Sequence, residues 1–205
     1  MTERLYYADS FLMDFDAVVT DIQELSRANG QSLWRVALDR SAFYPTSGGQ
    51  PYDIGHLIAT ARSGAELTAE IVGVEEDDSG QVWHHTAKPL LAGTQVHGVI
   101  DAARRLDHMQ QHSGQHLLSA AFIQVCAAPT VSFHLGERSS TIDLAVDCLP
   151  NEKLQQVEEL ANKIIAEDRP VSVSIATRQQ AEEWLAAGDL RKLPHREGEQ
   201  KRWFR

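Results

Sequence analysis

The sequence predicts an α+β chain, with a small antiparallel β-barrel first and an α+β domain after it. Three observations carry this. The first hundred residues are short strand-like runs separated by Gly, Asn, Asp, Ser and Pro clusters. At Asp101 the apolar spacing changes from a strand period to a helical one. Beyond it the segments alternate as helix, strand, helix, strand, helix.

Residues 17–25, 32–38, 56–61, 66–74, 81–85 and 94–100 read as strands. Clusters such as Arg27-Ala28-Asn29-Gly30 and Glu76-Asp77-Asp78-Ser79-Gly80 turn the chain between them. Short strands at this spacing fit a small barrel or sandwich. Asp101 can cap a helix that opens with Ala102, Ala103, Arg104 and Arg105. Leu106, Met109, Leu117, Ala120, Ala121 and Gln124 continue it to about Cys126, and Ala127-Ala128-Pro129 ends it. Residues 140–146 alternate, with Ile142, Leu144 and Val146 on one side of a half-buried strand. Pro150-Asn151 opens a second helix with Leu154, Val157, Leu160, Ala161, Ile164 and Ile165 as its apolar stripe. A strand at 171–175 follows, then a helix from the Thr177/Gln180 capping box to Gly188. Arg202-Trp203-Phe204-Arg205 reads as the start of another strand. The expected organisation is a barrel domain at 1–100 and an α+β domain at 101–205.

Composition narrows the function. The 205 residues are 42% apolar, enough for a real core. No run of eighteen apolar residues occurs, so no membrane span or membrane partner is expected. Glu3, Asp9, Asp14 and Asp16 do not fit a signal peptide, and Cys126 and Cys148 do not make a disulfide framework, which points to a cytoplasmic setting. A net charge of −10 argues against a generic nucleic-acid coat. The charge is uneven: residues 191–205, with Arg191, Lys192, Arg196, Lys201, Arg202 and Arg205, carry a local +4. That stretch is either a phosphate contact or a solvated loop.

Two segments carry chemistry. In the first helix His112 and His116 are four apart, so both imidazoles can reach one metal ion. His108 extends the spacing by one step. Each step of four rotates about 40°, so His108 pairs with His112 or His112 with His116, and all three do not share one ion. Ser113-Gly114 between the pair is poor for helix stability; a glycine there suits either close approach of a substrate or tight helix packing. Catalytic zinc takes three protein ligands and an open position, and Cys126, Cys148 and His134 are candidates for the third. The second segment, Pro45-Thr46-Ser47-Gly48-Gly49-Gln50-Pro51, must be a loop. It is either a plain turn or a place where backbone amides and the Gln50 amide meet a ligand, and it lacks the Gly-Lys-Ser/Thr ending of a P-loop.

Together these segments resemble the editing domain of alanyl-tRNA synthetases and the free-standing alanyl-tRNA editing proteins. The resemblance rests on the Gly-Gly-Gln loop at 43–50 and the Arg-Arg…His-x-x-x-His-Leu-Leu helix at 104–118. It continues through 130–144, with Ser132-Phe133-His134-Leu135-Gly136 and Ser140-Thr141-Ile142-Asp143. It covers nearly the whole chain, and the free-standing form is the closer match. What it implies is an editing domain of the threonyl/alanyl-tRNA synthetase type and hydrolysis of the ester joining serine or glycine to the tRNA for alanine, with that tRNA as partner and zinc as cofactor. It implies His112 and His116 as zinc ligands and Gln50 and Gln115 as catalytic residues. Gly48, Gly49, Thr130 and His134 are the implied substrate-binding residues. A non-catalytic tRNA- or synthetase-binding module that keeps the fold is the alternative, and an unrelated metallohydrolase is a third. One departure stands out. The family completes its zinc site with Cys-x-x-x-His, whereas four residues past Cys126 is Thr130 and four past Cys148 is Glu152. The expectation is a chain truncated before that motif, with a Cys and a His soon after Arg205 in a longer version.

Overall fold

Strand alternation in the first hundred residues closes on itself. The computed structural model describes residues 1–28, 31–47, 49–61, 63–136, 139–171, 173–188 and 201–204. It opens with β1 (Glu3–Arg4) and a single 3-10 turn (Leu5–Tyr7), followed by β2 (Asp14–Ala28), β3 (Gln31–Leu38) and β4 (Arg40–Ser41). Then come β5 (Gly55–Thr60), β6 (Glu66–Glu76), β7 (Val82–Thr86) and β8 (Gln95–Ile100). The barrel is closed in the order β2-β3-β7-β6-β5-β8, and every neighbouring pair is antiparallel. Closure depends on β2, which pairs with β8 through Asp14–Val18 and with β3 from Val19 onward. Register shifts at Val19/Asp21 and Glu24/Ser26 bend it between the two partners. Inward residues Phe15, Val19, Val36, Leu38, Phe43, Leu57, Ile71, Val74, Val82 and Val96 form the core. The parallel pair β1–β4 was not legible in sequence because two residues carry no period.

One polar pair sits inside this core. His84 and Ser41 are both fully buried, with Ser41 Oγ 2.7 Å from His84 Nε2. Phe43 N–H donates to Ser41 Oγ at 3.1 Å, and His84 Nδ1–H donates to the Val36 carbonyl at 3.1 Å. Serine beside histidine suggests a nucleophile, but neither is reachable from solvent, so this is a structural latch. Burial holds the imidazole down at about 4, against 6.5 when unfolded. Between those values the unfolded chain takes up a proton that the folded chain refuses. Stability therefore falls as pH drops from about 6.5 to about 4, by about 3 kcal/mol in all, and levels off below. Urea unfolding of the wild type and of His84→Gln between pH 7.5 and 4 isolates this effect. The difference between the two profiles should slope across that window, and parallel profiles would contradict it.

Asp101 caps α1 (Ala102–Cys126), its carboxylate accepting from Arg104 N–H at 2.9 Å. The helix ends at Ala127, which is left-handed (φ +51°). β9 (Thr130–Leu135) and β10 (Ser140–Leu144) form an antiparallel hairpin, with Phe133 opposite Ile142 and His134 opposite Thr141. β10 stops at Leu144, short of the expected 146, after a register break at Asp143/Leu144. In sequence, β9 was visible only through the family resemblance, although Val131, Phe133 and Leu135 do alternate.

The chain forms two compact units, Met1–Lys153 and Leu154–Arg205. The second contains most of α2 (Asn151–Ala166), then β11 (Val173–Ala176), α3 (Arg178–Ala187) and β12 (Lys201–Phe204). β11 and β12 pair antiparallel, with Val173 opposite Phe204. The Thr177/Gln180 capping box and a left-handed Gly188 (φ +83°) bound α3, as the sequence predicts. The fold is thus α+β with a closed antiparallel barrel leading. No described helix is long and apolar enough to cross a membrane. Gly48, and Arg191, Lys192, Arg196 and Arg205 of the basic stretch, lie outside the described residues.

Candidate active site

The first unit brings the Gly-Gly-Gln loop onto α1. Ser47 N–H donates to the Gln50 carbonyl at 3.1 Å and Gln50 N–H to the Ser47 carbonyl at 3.0 Å, closing a tight turn. Gly49 adopts φ +83° at the tip. A Cβ there would lie 3.2 Å from the Phe133 ring and 3.3 Å from the Phe133 carbonyl oxygen, so conformation and space both require glycine. Gly49→Ala should lower stability by about 1–2 kcal/mol or more. Gly93→Ala is the control, because Gly93 shares the positive φ but has open space around it. Thermal unfolding should show the larger loss at Gly49; equal losses would remove the Phe133 contact from the explanation.

The stem of the loop is anchored by charge. Arg105 and Asp53 are 2% and 1% exposed. Arg105 Nε donates to both Asp53 carboxylate oxygens at 3.1 and 3.0 Å. Arg105 Nη2 also donates to Asp53 and to the Ala42 carbonyl, and Nη1 donates to Ser10 O at 2.9 Å. Asp53 in turn accepts from Tyr44 N–H at 2.6 Å. Arg104 Nε donates to Tyr52 O at 3.1 Å. The loop base is therefore pinned to the first turn of α1.

Seven residues, or two turns, beyond Arg105 on the same helical face lies His112. Its Nδ1–H donates to Gln50 Oε1 at 3.1 Å, and Gln50 is only 6% exposed. Burial pushes the His112 imidazole below its ordinary value. In the neutral ring, with the proton on Nδ1, the lone pair is on Nε2. His116 Nε2 lies 3.1 Å from His112 Nε2. Two nitrogens at 2.0–2.1 Å from a tetrahedral zinc would be roughly 3.3–3.4 Å apart. The pair therefore fits one edge of a zinc site, and the Gln50 contact fits the outer-shell bond that orients a metal-bound imidazole. No third His, Cys, Asp or Glu joins them among the described residues. Cys126 is half-buried and Cys148 exposed. His134 is exposed and, by strand alternation, on the opposite face of β9 from Phe133, whose ring meets His112 edge-on at 6.2 Å. His108 is buried, and burial also lowers its pKa.

On the other side of Gly114, a cleft of about 370 Å³ is lined by Gly114, Gln115, Leu118, Phe133, Thr141 and Ile142. A Cβ on Gly114 would meet nothing within 4 Å among the described residues, so packing does not explain this glycine. Gln115 and Thr130 are brought together by a residue the sequence reading passed over. Ser119, 2% exposed, accepts from Gln115 Nε2 and from Thr130 Oγ1, each at 2.8 Å. Its i+4 spacing from Gln115 was the available signal. The roles of Asp53 and Phe133 were also missed, because the partner of each, Arg105 and Gly49, lies far away in the chain.

Residues 1–104 match the family described as tRNA synthetases class II (A). The alanyl-tRNA editing protein AlaX-M of Methanosarcina acetivorans is 35% identical over 190 residues, 91% of this chain and 74% of its own. That of Methanosarcina mazei is 35% identical over 193 residues, 91% of this chain and 72% of its own. The alanine–tRNA ligase of Pyrococcus furiosus is 34% identical over 189 residues, 89% of this chain and 19% of the ligase.

Proposed function

The chain belongs to the alanyl-tRNA editing protein family, and from that premise we propose that it hydrolyses the ester joining serine or glycine to the tRNA for alanine, in the cytoplasm and without ATP. The observation that carries this is the His112–His116 pair, oriented by Gln50 and bordered by the cleft that holds Gln115. His112 and His116 would hold zinc through their facing Nε2 atoms. When bound, zinc supplies Lewis-acid orientation of the substrate or a water of lowered pKa. Gln50 acts through His112 as a positioning residue, keeping the His112 proton on Nδ1. An aminoacyl ester is already labile, so positioning supplies much of the remaining acceleration. Gln115 and Thr130 would face the amino acid, Gly49 and Gly48 the loop side, and the basic stretch at 191–205 the phosphates of the tRNA.

The test is release of amino acid from seryl-tRNA and alanyl-tRNA, both on the tRNA for alanine. Selective release of serine is expected. Release no faster than the uncatalysed rate would overturn the proposal. It would favour the second reading, a non-catalytic tRNA- or synthetase-binding module, which draws on the two-ligand count among the described residues. Zinc stoichiometry separates the two: near one per chain for the enzyme, near zero for the module.

A further inference from the structure

We infer that Ser119, buried behind the cleft, sets the preference for serine over glycine by fixing Gln115 and Thr130 as a pair of hydrogen-bond acceptors. The inference rests on the editing function proposed above. Ser119 Oγ accepts the Thr130 hydroxyl proton and one Gln115 amide proton, each across 2.8 Å. Thr130 Oγ1, held on Ser119 by that bond, keeps a lone pair that can accept from a ligand. Gln115 Oε1 is buried and has no hydrogen-bond partner among the described residues. Leaving such an oxygen unsatisfied is costly, so the arrangement calls for a donor on the ligand. The serine side-chain hydroxyl is such a donor. Glycine and alanine have none at that position, although all three share the α-ammonium group. A site built to hydrogen-bond a hydroxyl rejects the analogue that lacks it, because its buried polar groups stay unpaired. Ser119 touches the two partners and not the substrate, so it is a positioning residue. Without it, the Gln115 amide can turn and the Thr130 hydroxyl can spend its proton elsewhere.

The experiment measures kcat/KM of the 205-residue chain on seryl- and glycyl-tRNA for alanine, comparing wild type with Ser119→Ala and Ser119→Cys. Thermal unfolding of each is followed alongside. Ser119→Cys keeps the volume nearly constant and covers a folding failure of the alanine variant. The expected result is a serine-specific loss of roughly ten- to hundredfold, with glycine release within about twofold of wild type. An equal fall on both substrates would mean that the acceptors take the shared α-ammonium, or that the site has collapsed, and would overturn the inference. No change on either would overturn it too. A wild-type chain that releases neither amino acid would overturn the editing function, and the Ser119 inference with it.

Discussion

Asp53→Ala is expected to destabilise the barrel-and-helix unit by about 3–5 kcal/mol. The Arg105 guanidinium is locked among Asp53, Ala42 O and Ser10 O, and both ionic partners are almost wholly excluded from solvent. Removing the carboxylate leaves a buried charge paired only with carbonyl dipoles and frees the Tyr44 amide as well. Arg105→Met alone should cost a similar amount, because it strands the carboxylate. The double variant D53L/R105M should cost much less than the sum of the two, since removing both charges also removes their desolvation penalty. Urea unfolding followed by tryptophan fluorescence reads all three. Additive losses would show that the pair does not act as a unit. The effect should reach the site as well. Asp53 and Arg105 fix the loop stem two turns below His112, so single variants that still fold should also lose the Gln50 contact to His112.

The second large effect is at the histidines. His112→Ala and His116→Ala should each reduce serine release more than roughly a hundredfold and leave the chain without stoichiometric zinc by elemental analysis. Gln50→Ala should keep more of the metal and lose less rate, in the range of about 10–100-fold that outer-shell partners typically contribute. That ordering follows from geometry: both Nε2 atoms face one point, whereas Gln50 reaches only the far nitrogen of one ring. Should His112→Ala retain both zinc and rate, the pair is not the metal site. Should Gln50→Ala match the histidine variants, Gln50 does more than orient an imidazole.

Much of this was legible in sequence because it is local. The barrel strands announced themselves through alternation and turn clusters. α1 was signalled by its Asp101 cap and its Ala127-Ala128-Pro129 end, and α3 by the Thr177/Gln180 box. The i, i+4 spacing of His112 and His116 needed only helical geometry. The missed elements depend on distant partners. β1 and β4 are two residues each and exist through one another. Thr130 and Gln115 could be named from family resemblance, but Ser119, which joins them, carries no signature beyond its spacing.

The sequence by itself determined the fold class, the helix that presents two imidazoles on one face, and the loop at 45–51, since each follows from backbone period or local turn chemistry. Only the tertiary structure decided that Gln50 closes on His112 Nδ1, that Phe133 walls the Gly49 turn, and that Arg105 ties Asp53 to the helix. It also decided that Ser41 and His84 are a buried latch and not a nucleophile with its base. The physical reason is one of range. Period, capping and φ are set within a few residues, whereas a hydrogen bond between residues 52 or 62 positions apart forms only once the barrel has closed and placed its loop against the helix.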